Sequence, residues 1–410
     1  MCDLLVVFGN QVIIFSDKHC SFRATGDPER DWSRWFRHGV IGAAKQLWGA
    51  ERWIRRFPGR LFLDRACAHP FPLVLPDPPQ AQFHLVAVVH GVARACERHF
   101  RGGSGSLIHK TEVRGIQEHN APFVIGDLRS DRTFVHVFDD TSLDVVMRTQ
   151  DTVSDFVQYL GKKALLMRSG RRVIAAGEEE LLAWYLKNMN TAGEHDLVFR
   201  ADVAGVTLLE GGWEAFQRNP QRLAQVEQNR ISYLWDSLIE EFNKHALGGT
   251  QYYSSDGGLQ GVEEVLRFCA REPRTRRRML AMALKEMLET TGPDQTRRRI
   301  IQPSRPGDPY YVFLLVPRDS NRPYEEYREV RREYLEVCMR VAKLKCPKAL
   351  DIIGIATETG LDDSRRSEDA AYLDGRVWTA EHQADAERLQ RELELFVDPK
   401  IERKVCHPRG

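Results

Sequence analysis

The chain has few of the features that most readily reveal a function. Its 410 residues hold eight cysteines, at positions 2, 20, 67, 96, 269, 338, 346 and 406, with no C-x-x-C pair. That scatter excludes a zinc ribbon and a dense disulfide framework, and implies reduced thiols. No apolar run is long enough to span a bilayer, and no secretory leader pattern precedes the first strand. A cytoplasmic protein without membrane contact is therefore expected. Charge of one sign is also lacking: the formal net charge is +1, so any basic surface must be local. Walker A, H-E-x-x-H and G-x-S-x-G motifs are absent. The glycines of "RGGSGSLIHK" (101–110) lack the strand-to-helix setting of a phosphate loop, and this stretch is expected to be a flexible connector.

The opening stretch is richer. "CDLLVVFGNQVIIFSDK" (2–18) holds two runs of β-branched, Leu and Phe residues separated by Gly9-Asn10, the composition of a tight hairpin. The register then sets Phe8 against Gln11, Val7 against Val12, Leu5 against Ile14 and Asp3 against Ser16. Side chains alternate along a strand, so Asp3, Ser16 and Lys18 share one face and Asp17 takes the other. Both faces are apolar up to the polar end, which predicts a strand pair covered on both sides. A long helix follows. Asp27 suits its N-cap, Pro28 its first position and Glu29 its dipole. Trp32, Trp35, Phe36, Val40, Ala43, Leu47 and Ile54 keep helical spacing. Small residues around Gln46 predict close approach to another surface, and Lys45, Arg52, Arg55 and Arg56 are basic. A strand over Phe83–Val89 completes an α/β order.

An Asp opening one strand, an acid and Lys closing the next, then a helix bearing Gln, resembles the PD-(D/E)xK nuclease superfamily in its nuclease-related, restriction-endonuclease-like branch. The resemblance covers roughly residues 1–100. It implies an α/β fold with a restriction-endonuclease-like mixed sheet flanked by helices. It also implies Mg²⁺ or Mn²⁺ held by Asp3 and a second acid, Lys18 as the catalytic lysine, and Gln46 in support. Such oxygen ligands suit Mg²⁺, and a metal beside a lysine stabilises charge on a phosphate under attack. The seat two residues before Lys18 is Ser16, so the second acid is Asp17, brought inward by a bulge near Phe15, or else Glu29 or Glu51 from the helix. The bulge is expected, because an Asp facing an apolar, covered side is costly.

Beyond residue 110 the pattern predicts a middle α/β region (111–215), a helical region (221–300) and a C-terminal β-α-β domain (301–410). In the middle region, "TVSDFVQYLGKKALLM" reads as a helix capped by Ser154, and Glu178–Glu180 as an acidic helix N-terminus. "REPRTRRR" (271–278) interrupts a helix pair, and with "TRRR" (296–299) it is the strongest local positive charge. Arg274, Arg276, Arg277 and Arg278 are accordingly the expected contacts to a nucleic-acid backbone. "YYVFLLV" and "ALDIIGIATET" read as buried strands, the second ending in Ala356–Gly360 where a ligand can meet a sheet's carboxyl edge. The expected function is metal-dependent hydrolysis of DNA or RNA phosphodiesters, as a defence or repair effector regulated by the rest of the chain. The alternatives are an inactive nuclease-like fold that binds nucleic acid or protein, with a protein partner or a second copy, and a sensor that binds a ligand through the C-terminal domain.

Overall fold

Leu4–Phe8 (β1) and Gln11–His19 (β2) form the hairpin in the computed structural model, which describes residues 2–199, 203–248, 259–319, 321–359 and 367–397. Phe8 pairs with Gln11, Val7 with Val12 and Leu5 with Ile14, in the expected register. Gly9 takes φ 55°, a left-handed value suited to a two-residue loop. β2 is covered on both sides, and β1, the outer strand of its sheet, is half-covered on both, with Leu5 against one cluster and Val6 against the other. Val12 and Ile14 enter one apolar cluster, and Ile13, on the opposite side, enters another.

Asp27 caps the helix that follows, accepting the Arg30 N–H at 3.1 Å. The helix runs as α1 (Pro28–Phe36), a π turn over Arg37–Ile41, and α2 (Gly42–Arg56). Close approach occurs at the π turn, where a Cβ on Gly39 would sit 2.5 Å from Val89 Cγ1. At Gly42 and Gly49, where it was expected, an added Cβ meets nothing within 4 Å. The tightening belongs to the extra residue of the turn, which brings the backbone down onto the sheet.

β3 (Gln82–His90) lies parallel to β2 in unbroken register, with Asp17 beside Val88 and His19 beside His90. Next come α3 (Ala93–Phe100), β4 (Ile108–Arg114), β5 (Val124–Asp127) and β6 (Val135–Phe138). β6 joins β3 in parallel, giving the first sheet the order β1-β2-β3-β6. Residues 1–100 therefore share their sheet with the middle region. The chain divides instead into Met1–Leu223 and Ala224–Gly410. The rest of the first unit is α4 (Ser142–Thr149), α5 (Val153–Met167), β7 (Arg172–Ala175), α6 (Glu178–Lys187), β8 (Gly205–Leu208), α7 (Gly212–Gln217) and the start of α8 (Pro220–Asn229). Its second sheet runs β5-β4-β7-β8. Thr152, not Ser154, caps α5 by accepting the Asp155 N–H. The glycine-rich segment is anchored rather than loose. Gly105, Ser106 and Leu107 are buried, and a Cβ on Gly105 would meet the Ala93 carbonyl at 2.7 Å.

The second unit contains α9 (Tyr233–Gly248), α10 (Leu259–Arg271), α11 (Arg274–Thr290), β9 (Arg297–Ile301), β10 (Tyr310–Val316), α12 (Tyr324–Lys345), β11 (Asp351–Glu358), β12 (Glu368–Asp374) and α13 (Ala380–Glu392). Its sheet has the order β12-β11-β10-β9, with β10 and β11 parallel. The helical region and the β-α-β domain expected from sequence thus belong to one unit. The basic run at 296–299 is largely strand β9, where Arg298 stacks on Phe396 and Arg299 bonds Glu286. Most of "GGTQYYSSDGG" (248–258) lies outside the described residues.

Candidate functional site

The residues expected to hold Mg²⁺ meet across the hairpin, but their carboxylates do not converge. The pairing of β2 with β3 is unbroken through this stretch, so no bulge in β2 turns Asp17 inward. The pairing with β1 ends at Leu4–Phe15, and the Asp3 N–H bonds the Phe15 carbonyl at 3.1 Å in place of the expected Asp3–Ser16 register. Asp3 accepts the backbone N–H of Asp17 at 2.8 Å, which uses one of its oxygens as a strand-end cap. The Asp17 carboxylate is directed elsewhere, with Oδ1 2.8 Å from His90 Nε2. Alternation places Ser16 and Lys18 on the α2 side, with Val12 and Ile14. Ser16 is fully buried and its Oγ has no hydrogen-bond partner. Among the described residues Lys18 forms no ion pair, and Gln46 sits half-buried on α2. Glu51 is committed to Arg55 at 2.9 Å and Thr133 at 2.8 Å. Glu29 is exposed in the first turn of α1. One face thus carries Lys18 and the opposite face carries the Asp17 carboxylate, a division set by the period of the strand.

What does converge lies at the carboxyl ends of the parallel strands. His19 and His90 occupy the same register position on β2 and β3, and their rings stack with centroids 4.2 Å apart and planes 9° apart. Asp17, two residues before His19, points to the same face. Asp140, just beyond β6, accepts from His90 Nδ1 at 2.7 Å and from the Gly91 N–H at 2.8 Å. Trp35 clamps the strand ends from the other side, its indole N–H shared between the carbonyls of Cys20 and His90. Gly91 closes the junction: its φ is +86°, and a Cβ there would come 2.5 Å from the Cys20 carbonyl. Position at a carboxyl edge follows the general rule for ligand sites in α/β sheets. From sequence, His90 was only the last residue of an apolar run, 73 positions from Asp17.

A second constellation is internal. Glu178, Glu179 and Glu180 open α6, and all three are buried, so the plain dipole-complementing reading is incomplete. Glu178 meets Lys163, His109 Nε2 at 2.7 Å and the Tyr159 hydroxyl at 2.5 Å. Burial alone would push its carboxyl up, but Lys163 and His109 beside it hold it below the usual carboxylate range. Burial lowers both Lys163 and His109. Glu179 accepts from the hydroxyls of Ser104 and Ser106, the residues that anchor the glycine-rich segment. Glu180 accepts the backbone N–H groups of Gly211 and Trp213 at 2.9 and 3.0 Å. With its partners supplied from within, the network is a structural one.

The four arginines expected on a phosphate-binding surface are buried, between 5 and 8% exposed. Arg274 bonds Ser232 and Asp236 and covers the Tyr233 ring. Arg276 donates to the Gln302 carbonyl. Arg277 donates to Asp236 and to the carbonyls of Glu272 and Ala270, and Arg278 reaches Gln228 and Asn229. The expectation is corrected: a Pro273-capped helix turns these side chains inward to serve loop carbonyls and one aspartate. The carboxyl edge of β11 is likewise filled from within. Glu358 accepts from Tyr324 at 2.7 Å, and Arg331 is bound to Asp369. Gly360 lies outside the described residues.

Positive charge is exposed instead along the first unit's helical run. From residue 32 to residue 56 the only acid is Glu51, which is buried, whereas Arg37, Lys45, Arg52, Arg55 and Arg56 are exposed. At 100° per residue, with one residue absorbed by the π turn, Arg37, Lys45, Arg52 and Arg56 fall on one face opposite Trp32 and Trp35. The stripe from Arg37 to Arg56 is roughly 28 Å long at a helical rise of 1.5 Å per residue. Lys45, Arg52, Arg55 and Arg56 are evident as basic in the sequence, but Arg37 joins the face of Lys45, Arg52 and Arg56 only through the extra residue of the π turn. No family model, curated protein or solved structure matches this chain.

Proposed function

We propose that the first unit is a nuclease-like domain that binds the phosphate backbone of nucleic acid without the Asp3–Asp17 metal pair needed to cut it. The observation that carries this reading is the exposed face of α1–α2, with Arg37, Lys45, Arg52 and Arg56 aligned and no exposed acid after Asp31. In a chain of net charge +1, such a concentration is a local field suited to a polyanion. The order of hairpin, long helix and parallel strand, and the position of Ser16 and Lys18 on the α2 side, support the nuclease-like part of the proposal. The divergence of the Asp3 and Asp17 carboxylates supports the inactive form over the Mg²⁺-dependent enzyme, because Mg²⁺ is held chiefly by carboxylate oxygen.

Fluorescence anisotropy with a 20-base-pair duplex, across a salt series, tests the proposal. Four phosphate contacts give a log–log salt slope of about −3.6, and replacing Arg37, Lys45, Arg52 and Arg56 by Gln should remove most of it. A slope unchanged in that variant refutes the interface. Incubation of duplex and single-stranded substrates with Mg²⁺ or Mn²⁺ should leave them intact. Cleavage that is lost in Asp3→Ala and Lys18→Ala would restore the nuclease.

A further inference from the structure

The carboxyl edge of the first sheet presents a donor set that no part of the preceding proposal uses. We propose that Asp17, His19 and His90 bind a divalent transition metal of the Zn²⁺ class, with Asp140 as the residue that positions His90. The inference stands apart from the nucleic-acid reading, because none of the three ligands belongs to the α1–α2 run.

Geometry supplies the first argument. One ligand atom from each of Asp17, His19 and His90 lies within 4.8 Å of the other two. Metal–ligand bonds near 2.0–2.2 Å place neighbouring donors of one ion about 3 to 3.4 Å apart. The observed separations, 2.8 Å from Asp17 Oδ1 to His90 Nε2 and 3.9 Å to His19 Nε2, bracket that span. The His19 and His90 rings are stacked with planes 9° apart, so their in-plane lone pairs do not yet meet; His19, the most exposed of the three at 81% of its side chain, must turn out of that stack to join the ion.

Orientation supplies the second argument. His90 Nε2 is a buried atom that makes no hydrogen bond, even though the Asp17 oxygen is only 2.8 Å away. The carboxylate stands off the line a hydrogen bond would need, as it does when ring nitrogen and oxygen both face a third centre. The other ring nitrogen, Nδ1, is bonded to Asp140. A metal-binding histidine commonly donates its far N–H to a carboxylate in this way, which fixes the tautomer and leaves the Nε2 lone pair for the ion. Asp140 is itself steadied by the Gly91 N–H, and the Trp35 clamp fixes the ends of both strands.

Donor chemistry chooses the metal. Two imidazoles and one carboxylate suit Zn²⁺ and its transition-metal neighbours, whereas Mg²⁺ takes oxygen ligands and keeps its waters. Three protein ligands at a solvent-facing edge leave a coordination position for water, the pattern of hydrolytic rather than structural zinc.

The test titrates Zn²⁺ into the full chain against a chromophoric chelator, in a reductant that does not bind metal. Far-UV circular dichroism confirms that each variant is folded. Wild type should bind one Zn²⁺ that an equal concentration of Mg²⁺ does not displace. His19→Ala and Asp17→Ala should each weaken binding tenfold or more, and Asp140→Ala should weaken it 10- to 100-fold through His90 alone. The Co²⁺ form should show no thiolate charge-transfer band. Binding unchanged in the His19→Ala/Asp17→Ala double variant overturns the site. So does a thiolate band, displacement by Mg²⁺, or failure of the wild type to bind.

Discussion

Replacing Lys163 by Met would leave Glu178 buried beside an apolar side chain. Lys163 is 1% exposed and Glu178 is 0% exposed, so neither charge has water to fall back on. Breaking a buried pair by removing one partner typically costs about 3–5 kcal/mol, because the remaining charge is stranded. Here the lower end, about 3 kcal/mol, is expected. His109 remains 2.7 Å from Glu178, and once the Lys163 charge that opposes its protonation is gone it can take up a proton. For a unit of this size that is a fall of roughly 6–12 °C in Tm. Differential scanning calorimetry reads the shift. Lys163→Met combined with Glu178→Gln should recover most of the loss, since a neutral pair leaves nothing to compensate. The pH dependence carries a sign. Because the Glu178 carboxyl is held below its unfolded value of 4.5, its stabilisation is present above that pH and is lost as the pH falls below it. In the double variant that acid-side loss should flatten. A single variant within 1 kcal/mol of wild type at neutral pH, or a double variant no more stable than the single one, would refute the assignment of Glu178 and Lys163 as a mutually dependent pair.

Two further outcomes follow from particular positions. Gly91→Ala combines a φ of +86° with a Cβ 2.5 Å from the Cys20 carbonyl, and should cost about 2 kcal/mol or more in urea unfolding; a neutral effect would mean the strand ends are not held together there. Arg277→Ala takes the donor from a buried and a part-buried carbonyl and leaves Asp236 to Arg274 alone, and should lower the second unit's stability by about 1–3 kcal/mol while leaving the salt slope of nucleic-acid binding untouched; a flattened slope with normal stability would return the helix to the phosphate-binding reading.

The legible parts of the fold are those decided locally. Val6, Val7, Val12 and Ile13 with Gly9-Asn10 between them specify strands and turn within a few residues, and Asp27-Pro28 marks a helix start by chemistry confined to one turn. Tyr310–Val316 and Tyr324–Lys345 were clear for the same reason, one as a continuous apolar run and the other as a long amphipathic period. β9 was hidden because Arg297, Arg298 and Arg299 carry no strand pattern; their aliphatic stems and ring or carboxylate partners make the strand possible. The candidate site was half legible. Alternation alone gives the face of Asp17, and the bulge expected against it does not form, because that face is open at the strand end, where Asp17 is half exposed. Its partner was not legible, because a parallel strand arrives through a crossover of arbitrary length. Glu178–Glu180 misled for a related reason. Acids at a helix start are normally explained by the dipole, and only the distant Lys163, Ser104 and Trp213 show that each has a separate task.

That division of labour has a mechanical result for α6. Successive helical residues project about 100° apart, so the three carboxylates are gripped from three directions, by α5 and β4, by the Ser104–Ser106 segment, and by the start of α7. A greasy contact such as that of Leu181 and Leu182 tolerates a small slide or roll, since one methyl replaces another. Keys cut at three angles do not. A shift of α6 by a single residue along its axis would pull every carboxylate out of its own lock at once, so the helix has one seating and no intermediate ones.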